Sequence, residues 1–211
     1  MSDMSGTSLK EPNPIDWDAY NPGSKFQVPP PAKGVDGKYV VYHAQLPTTI
    51  AAEADDDGYR RYLLDPITLV KNGQGIDGYT IRFTRASVKA FTGKDGKAVN
   101  ASQAGNVLKA AQVAAKPQKT AEYDAAFNLI KGKIVPVTVD WYAKNKDTGE
   151  QVRGYENFPV DPDRPGQRKA ILKAGDTYTD AQGNTQTVKA EVLFANAVVK
   201  RFIDPTRKQN Q

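Results

Sequence analysis

Val135, Val137, Val139 and Trp141 alternate without a break with Pro136, Thr138, Asp140 and Tyr142. A period of two sustained this long is the pattern of a β-strand with one face buried and the other in water. A helix would scatter the same apolar residues around its cylinder. Asn145-Lys146-Asp147-Thr148-Gly149 has turn chemistry, so Glu150 to Phe158 is expected to return as the second strand of a hairpin. Val152 and Phe158 then look inward, while Arg153 and Tyr155 look outward with Tyr142. Such a hairpin needs further strands to cover its edges, and the rest of the chain supplies candidates.

Lys38 to Ala44 is a β-branched and aromatic run bounded by Gly37, and reads as the first strand. An acidic loop follows from Glu53 to Asp57. A second strand falls within Tyr62 to Val70, split by Asp65-Pro66, because proline cannot donate to a ladder. The third runs from Gly78 to Phe91 and mixes aromatic and basic residues without one acid. Gly93 to Lys97 is expected to turn the chain. Asn100 with Gln103 then offers an N-cap and its capping-box partner. Ala104, Val107, Leu108 and Ala111 at helical spacing form the apolar stripe of a helix, and a shorter helix is expected from Thr120 to Lys131, stopped by Gly132. Pro159 to Lys173 reads as a basic loop with some helix. Asp180 to Asn184 is a turn into Gln186 to Ile203, a long strand or strand pair.

Residues 1–33 are Pro-, Ser-, Asn- and Gly-rich and read as a mostly extended arm, which Trp17 and Tyr20 could pin down. Pro29-Pro30-Pro31 would act there as a stiff spacer or as a strap across the domain. One domain is expected over 34–204, with a polar tail over 205–211. The expected fold is mainly β with inserted helices. Three strands, helices and two more strands follow the connectivity of a five-stranded OB-like barrel, here with β extensions. A β-sandwich is the alternative, although it asks for about seven short strands and no helical insert.

The sequence supports no catalytic machinery. Gly73-Gln74-Gly75-Ile76-Asp77-Gly78 fits the dinucleotide fingerprint in letters, but its last glycine opens a strand instead of a helix. No P-loop sequence is present, and His43, the single histidine, serves no nucleophile elbow. Glu53, Asp55, Asp56 and Asp57 do not match the EF-hand spacing, and there is no cysteine for a thiolate or a sulfur-ligated zinc. We therefore expect no catalytic residues, no metal and no cofactor. With neither a signal peptide nor an apolar run long enough to span a bilayer, the expected location is the cytoplasm, without a membrane partner. The 29 basic against 24 acidic residues give a charge of +5, which permits a polyanionic partner without requiring one.

Strand phase nominates the surface. Tyr79, Ile81 and Phe83 share one face and are assigned to the core. After Arg85 the apolar set becomes Ala86, Val88 and Ala90, so a bulge or bend is expected near Thr84-Arg85. That leaves Arg82, Arg85, Lys89 and Phe91 outward. With Tyr142, Arg153 and Tyr155 they form a basic set with interleaved aromatics, the combination that stacks bases while tracking a backbone. Arg168 and Lys169, with Arg164 and Lys173, would extend the positive track.

The chain resembles phage-encoded single-stranded DNA-binding proteins of OB-fold type. The residues that carry this are Gly78-Tyr79-Thr80-Ile81-Arg82-Phe83-Thr84, the helix from Ala101 to Val113, Lys131-Gly132-Lys133 leading into Val135 to Tyr142, and Ala195 to Phe202. The resemblance implies a non-catalytic protein that coats single-stranded DNA in phage replication or recombination, without sequence preference or cofactor, in the host cytoplasm. Self-association and contacts with phage replication proteins are left open by it. One departure is the polar, basic end Thr206-Arg207-Lys208-Gln209-Asn210-Gln211, where many bacterial single-strand binders carry an acidic recruiting tail. The competing assignment is a phage structural or virion assembly protein.

Overall fold

The computed structural model describes residues 26–70, 78–92 and 98–206. The protein is mainly β, with fifteen strands and two α-helices among the described residues. In the first half these are β1 (Val41–Gln45), β2 (Ala51–Ala54), β3 (Arg60–Leu63), β4 (Ile67–Val70), β5 (Thr80–Ile81), β6 (Arg85–Ser87), β7 (Ala90–Thr92) and β8 (Ala98–Ser102). The helices α1 (Gln103–Ala110) and α2 (Thr120–Asn128) come next. They are followed by β9 (Ile134–Lys144), β10 (Gln151–Arg153), β11 (Ile171–Lys173), β12 (Thr177–Thr179), β13 (Thr185–Thr187), β14 (Val192–Phe194) and β15 (Asn196–Phe202). No helix among the described residues is long and apolar enough to cross a membrane.

β9 is the spine. Its period of two is realised on one face, where Val135, Val137, Val139, Trp141 and Ala143 are all buried, but the other face is not open to water throughout: Thr138 is buried as well, and Pro136, Asp140 and Tyr142 are partly covered. Its first half pairs with β1 and its end with β10, while β15 pairs along 137–142. The ladder continues from β1 to β4 and from β4 to β5, all antiparallel. This sheet curls into a half-barrel. Its ends meet where the Ala197 amide of β15 donates to the Tyr79 hydroxyl beside β5, at 3.1 Å. A bulge between Val199 and Arg201 bends β15 on the way.

The chain between β1 and β4 forms the β2–β3 hairpin, and β6 adds to β3 as a third strand. Behind it, Tyr62 stacks on Phe127 of α2 with ring centroids 3.7 Å apart, and its hydroxyl donates to Asp124 at 2.7 Å. Ala104, Val107, Leu108 and Ala111 all face the core, as their spacing predicts. The helix starts later than expected: Asn100 lies in β8, and Ser102 is the N-cap, its hydroxyl accepting from the Gly105 amide at 3.0 Å.

Asp65-Pro66 separates β3 from β4 as expected, and the bond is cis. Pro29 and Pro30 are buried, so this part of the proline run is a strap on the domain and not a spacer. Trp17, Tyr20 and the expected turn at Gly93 to Lys97 lie outside the described residues, as does all of the Gly73 to Gly78 stretch except Gly78.

Three expectations are corrected. The segment from Gly78 to Phe91 is not one strand: it breaks at Phe83, whose φ is 62°, and supplies β5, β6 and β7 to three different sheets. Tyr79 is in the core but Phe83 is 80 % exposed, because the left-handed step turns its side chain out before the phase changes. The returning strand of the β9 hairpin ends at Arg153, since Gly154 (φ 91°) leads into a 3-10 turn over Tyr155–Asn157. That turn carries Tyr155 inward, against the edge of Trp141 at 4.8 Å, so Tyr155 is a core residue and not an outward one. Finally, Pro159 to Lys173 contains no helix; it closes with an isolated Val160–Arg168 bridge and β11.

Candidate nucleic-acid interface

Register places several segments on one rim of the half-barrel. Gln45 at the end of β1 lies opposite Ile134 at the start of β9 and opposite Thr68 of β4, and Thr68 lies opposite Thr80 of β5. Lys133 and Arg82 therefore leave the sheet on the same side, three strand spacings apart, on the order of 14 Å. Gly132 (φ 70°) makes the tight step that brings the chain from α2 into β9. The connection is held by the Leu46 amide donating to the Lys133 carbonyl at 2.8 Å and the Gly132 amide donating to the Pro47 carbonyl at 3.1 Å. Between these segments opens a cleft of about 300 Å³ lined by Gln45 to Thr49, Asp65, Pro66 and Thr68.

Arg82, Arg85, Lys131 and Lys133 are exposed around this rim, and none forms an ion pair or side-chain hydrogen bond among the described residues. Asp65 is the acid of the cleft. Phe83 stands between the two arginines in sequence, 80 % exposed. Lys131, Lys133 and Phe83 were not nominated by strand phase. The lysines had a signal in sequence, a basic pair flanking the glycine that stops a helix. Phe83 had none, because alternation with Tyr79 and Ile81 placed it in the core.

The other nominated residues are elsewhere or already engaged. Lys89 pairs with Asp57 at 2.5 Å and lies over the Tyr59 ring at 5.6 Å. Phe91, in β7, is 48 % exposed. The Arg153 guanidinium covers the half-buried Tyr142 ring at 5.5 Å. Tyr142 lies eight residues beyond Ile134 on β9, about 27 Å from the rim. The open cleft beside it, about 350 Å³, contains Asp140, whose carboxylate accepts from the Trp141 and Tyr155 amides and from Lys200 at 2.9 Å. Burial works against the charge on Lys200, but the Tyr39 hydroxyl and Asp140 outweigh it and raise its pKa. Lys200 is thus matched locally, whereas Lys144, Lys146 and Arg153 form no ion pair among the described residues.

Arg168 donates to the Phe158 carbonyl at 2.9 Å, and Lys169 bonds both carboxylate oxygens of Asp176 at 2.8 Å. Arg164 pairs with Asp161 at 2.8 Å. The basic loop is therefore tied into its own fold, and its charges close turns. Glu53 belongs to β2 and pairs with Arg61, while Asp55 accepts the Asp57 and Tyr59 amides in a turn. No cluster of three or more metal-ligating side chains occurs among the described residues.

The arrangement on the rim can hold a chain of negative charges against four cations that form no ion pair among the described residues, with apolar ring surface beside them. No protein family, curated protein or solved structure matches this chain.

Proposed function

We propose that the protein is a non-catalytic single-stranded DNA-binding protein whose OB-like barrel holds the strand, without sequence preference, across the rim formed by Arg82, Arg85, Lys131 and Lys133. The observation that carries this reading is that these four exposed cations form no ion pair among the described residues and stand around a cleft whose lining holds one acid, Asp65, with the exposed ring of Phe83 beside them. Uncompensated surface charge of one sign attracts a polyanion and releases its counterions on binding. The exposed ring of Phe83 favours a single strand, because base faces are open to stacking only when the duplex is not formed.

The pairing order supports the barrel type. Numbered by their order in the chain, β1, β4, β5, β9 and β15 run 1-2-3-5-4-1 around the half-barrel, with both helices between the third and fourth. That is the Greek-key order of an OB barrel, whose groove binds oligonucleotides. A setting in phage DNA replication or recombination, in the host cytoplasm, follows from the resemblance of the sequence.

The test is binding of a fluorescent oligo-dT at increasing salt. Affinity falls as a power of salt, and replacing Arg82 and Arg85 together with alanine lowers the slope by about 1.4, at roughly 0.7 per phosphate for a single strand. Absence of binding at low salt, with many copies of the chain in purified phage particles, would assign it instead to the virion.

A further inference from the structure

We infer that Phe83 is a base-stacking residue, held out from the rim by a backbone conformation that a glycine would adopt more freely. This rests on the single-stranded DNA reading above and names the contact that reading leaves open.

Two non-glycine residues have positive φ among those described, Phe83 at 62° and Gln112 at 55°. Gln112 has a local reason: it ends α1, and its amide bonds back to the Lys109 carbonyl at 3.0 Å. At Phe83 the step itself has a use, since it passes the chain from β5 to β6 and sets the Thr84 carbonyl to accept from the Leu64 amide at 2.9 Å, but nothing in that turn calls for a phenylalanine. The step it makes, from β5 into β6, is one that nine glycines make elsewhere in this fold. A phenylalanine there is strained by its Cβ, and its ring recovers nothing, being 80 % exposed and outside the apolar cluster. Two costs at one residue, a strained backbone and an exposed ring, with no return among the described residues point to a partner outside the fold.

The surroundings select the partner. Arg82 and Arg85 stand on either side of Phe83 in sequence, exposed and without an ion pair among the described residues, with Lys131 and Lys133 across the rim. An apolar peptide would leave these charges to be desolvated without acids. A nucleotide satisfies both features at once: its base lies on the ring and its phosphates meet the guanidinium groups. The left-handed step places Phe83 at the corner where the chain passes from one sheet to the next, on the side from which Arg82 leaves β5.

The full chain and three variants, Phe83→Gly, Phe83→Leu and Phe83→Trp, are titrated with oligo-dT at several salt concentrations, with melting temperature measured in parallel. Phe83→Gly is expected to melt higher than the wild type, since glycine accepts the conformation freely, and to bind roughly five- to a hundredfold more weakly. The salt slope stays unchanged because no phosphate contact is lost. Phe83→Leu, which keeps the strain and the bulk but has no ring, weakens binding without the gain in melting temperature. Phe83→Trp binds within a few-fold of wild type, and its added indole fluorescence is quenched by DNA. Wild-type affinity in both the glycine and leucine variants overturns the inference while leaving the DNA reading intact. So does retained DNA affinity coupled with loss of self-association or of a protein contact. A wild-type chain that does not bind DNA overturns the reading itself.

Discussion

The indole Nε1 of Trp141 donates to the carbonyl of Pro30 at 2.7 Å, joining the spine of the half-barrel to a residue 111 positions earlier. Tyr42 makes a parallel contact, its hydroxyl donating to the Pro31 carbonyl at 2.7 Å, and the Val40 amide donates to Ala32 at 3.0 Å. Prolines have no amide hydrogen, so the proline run hydrogen-bonds to the sheet through its carbonyls, while the burial of Pro29 and Pro30 and the Phe26–Phe194 contact pack the strap down. Trp141→Phe keeps most of the packing but removes the donor and leaves a buried carbonyl unsatisfied. It should destabilise the fold by about 1 to 3 kcal/mol in urea unfolding and make the Lys33 peptide bond more sensitive to trypsin. An unchanged midpoint and digestion pattern would show that the strap does not contribute to stability.

Acid should loosen the loop that carries the 164–173 basic stretch. Burial alone would raise the Asp176 carboxyl, but Lys169 and the Lys173 amide outweigh it and hold the group below its ordinary 3.8. Asp161 is held low in the same way by Arg164 and the Asp163 amide. With folded pKa values depressed, the unfolded chain binds more protons, so this stabilisation is complete above about pH 4 and is lost as pH falls below it toward the folded values. Stability should therefore decline below about pH 4, with a shallower decline in Asp176→Asn. Equal slopes in the two proteins would contradict the assignment.

Lys169 and Lys133 are both basic and near glycine- or proline-rich turns, yet they should respond in opposite ways. Lys169→Ala breaks the two bonds to Asp176 and is expected to lower the melting temperature while leaving DNA affinity within about twofold. Lys131→Ala with Lys133→Ala is expected to leave the melting temperature within a degree or two and to reduce the salt slope by about 1.4. Melting curves and anisotropy on the same preparations decide this, and the reverse pattern would move the interface to the Arg164 to Lys173 loop.

The fold was legible where one period held over a whole element. Val135 to Trp141 named the spine, Ala104 to Ala111 named α1, and Asp65-Pro66 marked the break between β3 and β4. Failures came where a single residue changed the chain's direction. Phe83 turns left-handed without being glycine, and alternation carried across it inevitably placed its ring in the core. Gly154 ends β10 early, which moved Tyr155 from the surface to the side of Trp141. The exposure of Arg82 and Arg85 agrees with the sequence reading, though the single strand whose phase suggested it is divided at Phe83, and the acids that neutralise Lys89, Arg164 and Lys169 were not readable. Asp57 meets Lys89 from 32 positions away in sequence, a pairing that only the tertiary structure creates. Charge in a sequence does not say which cations lack partners.

The most direct test of the central claim is the affinity of the full chain for an oligo-dT and for a duplex of equal length between about 50 and 300 mM salt. The account predicts tighter binding to the single strand at every salt concentration, with a log–log slope of about −2.8 if the four rim cations each meet a phosphate. Equal or tighter binding to the duplex, or an affinity indifferent to salt, would contradict it.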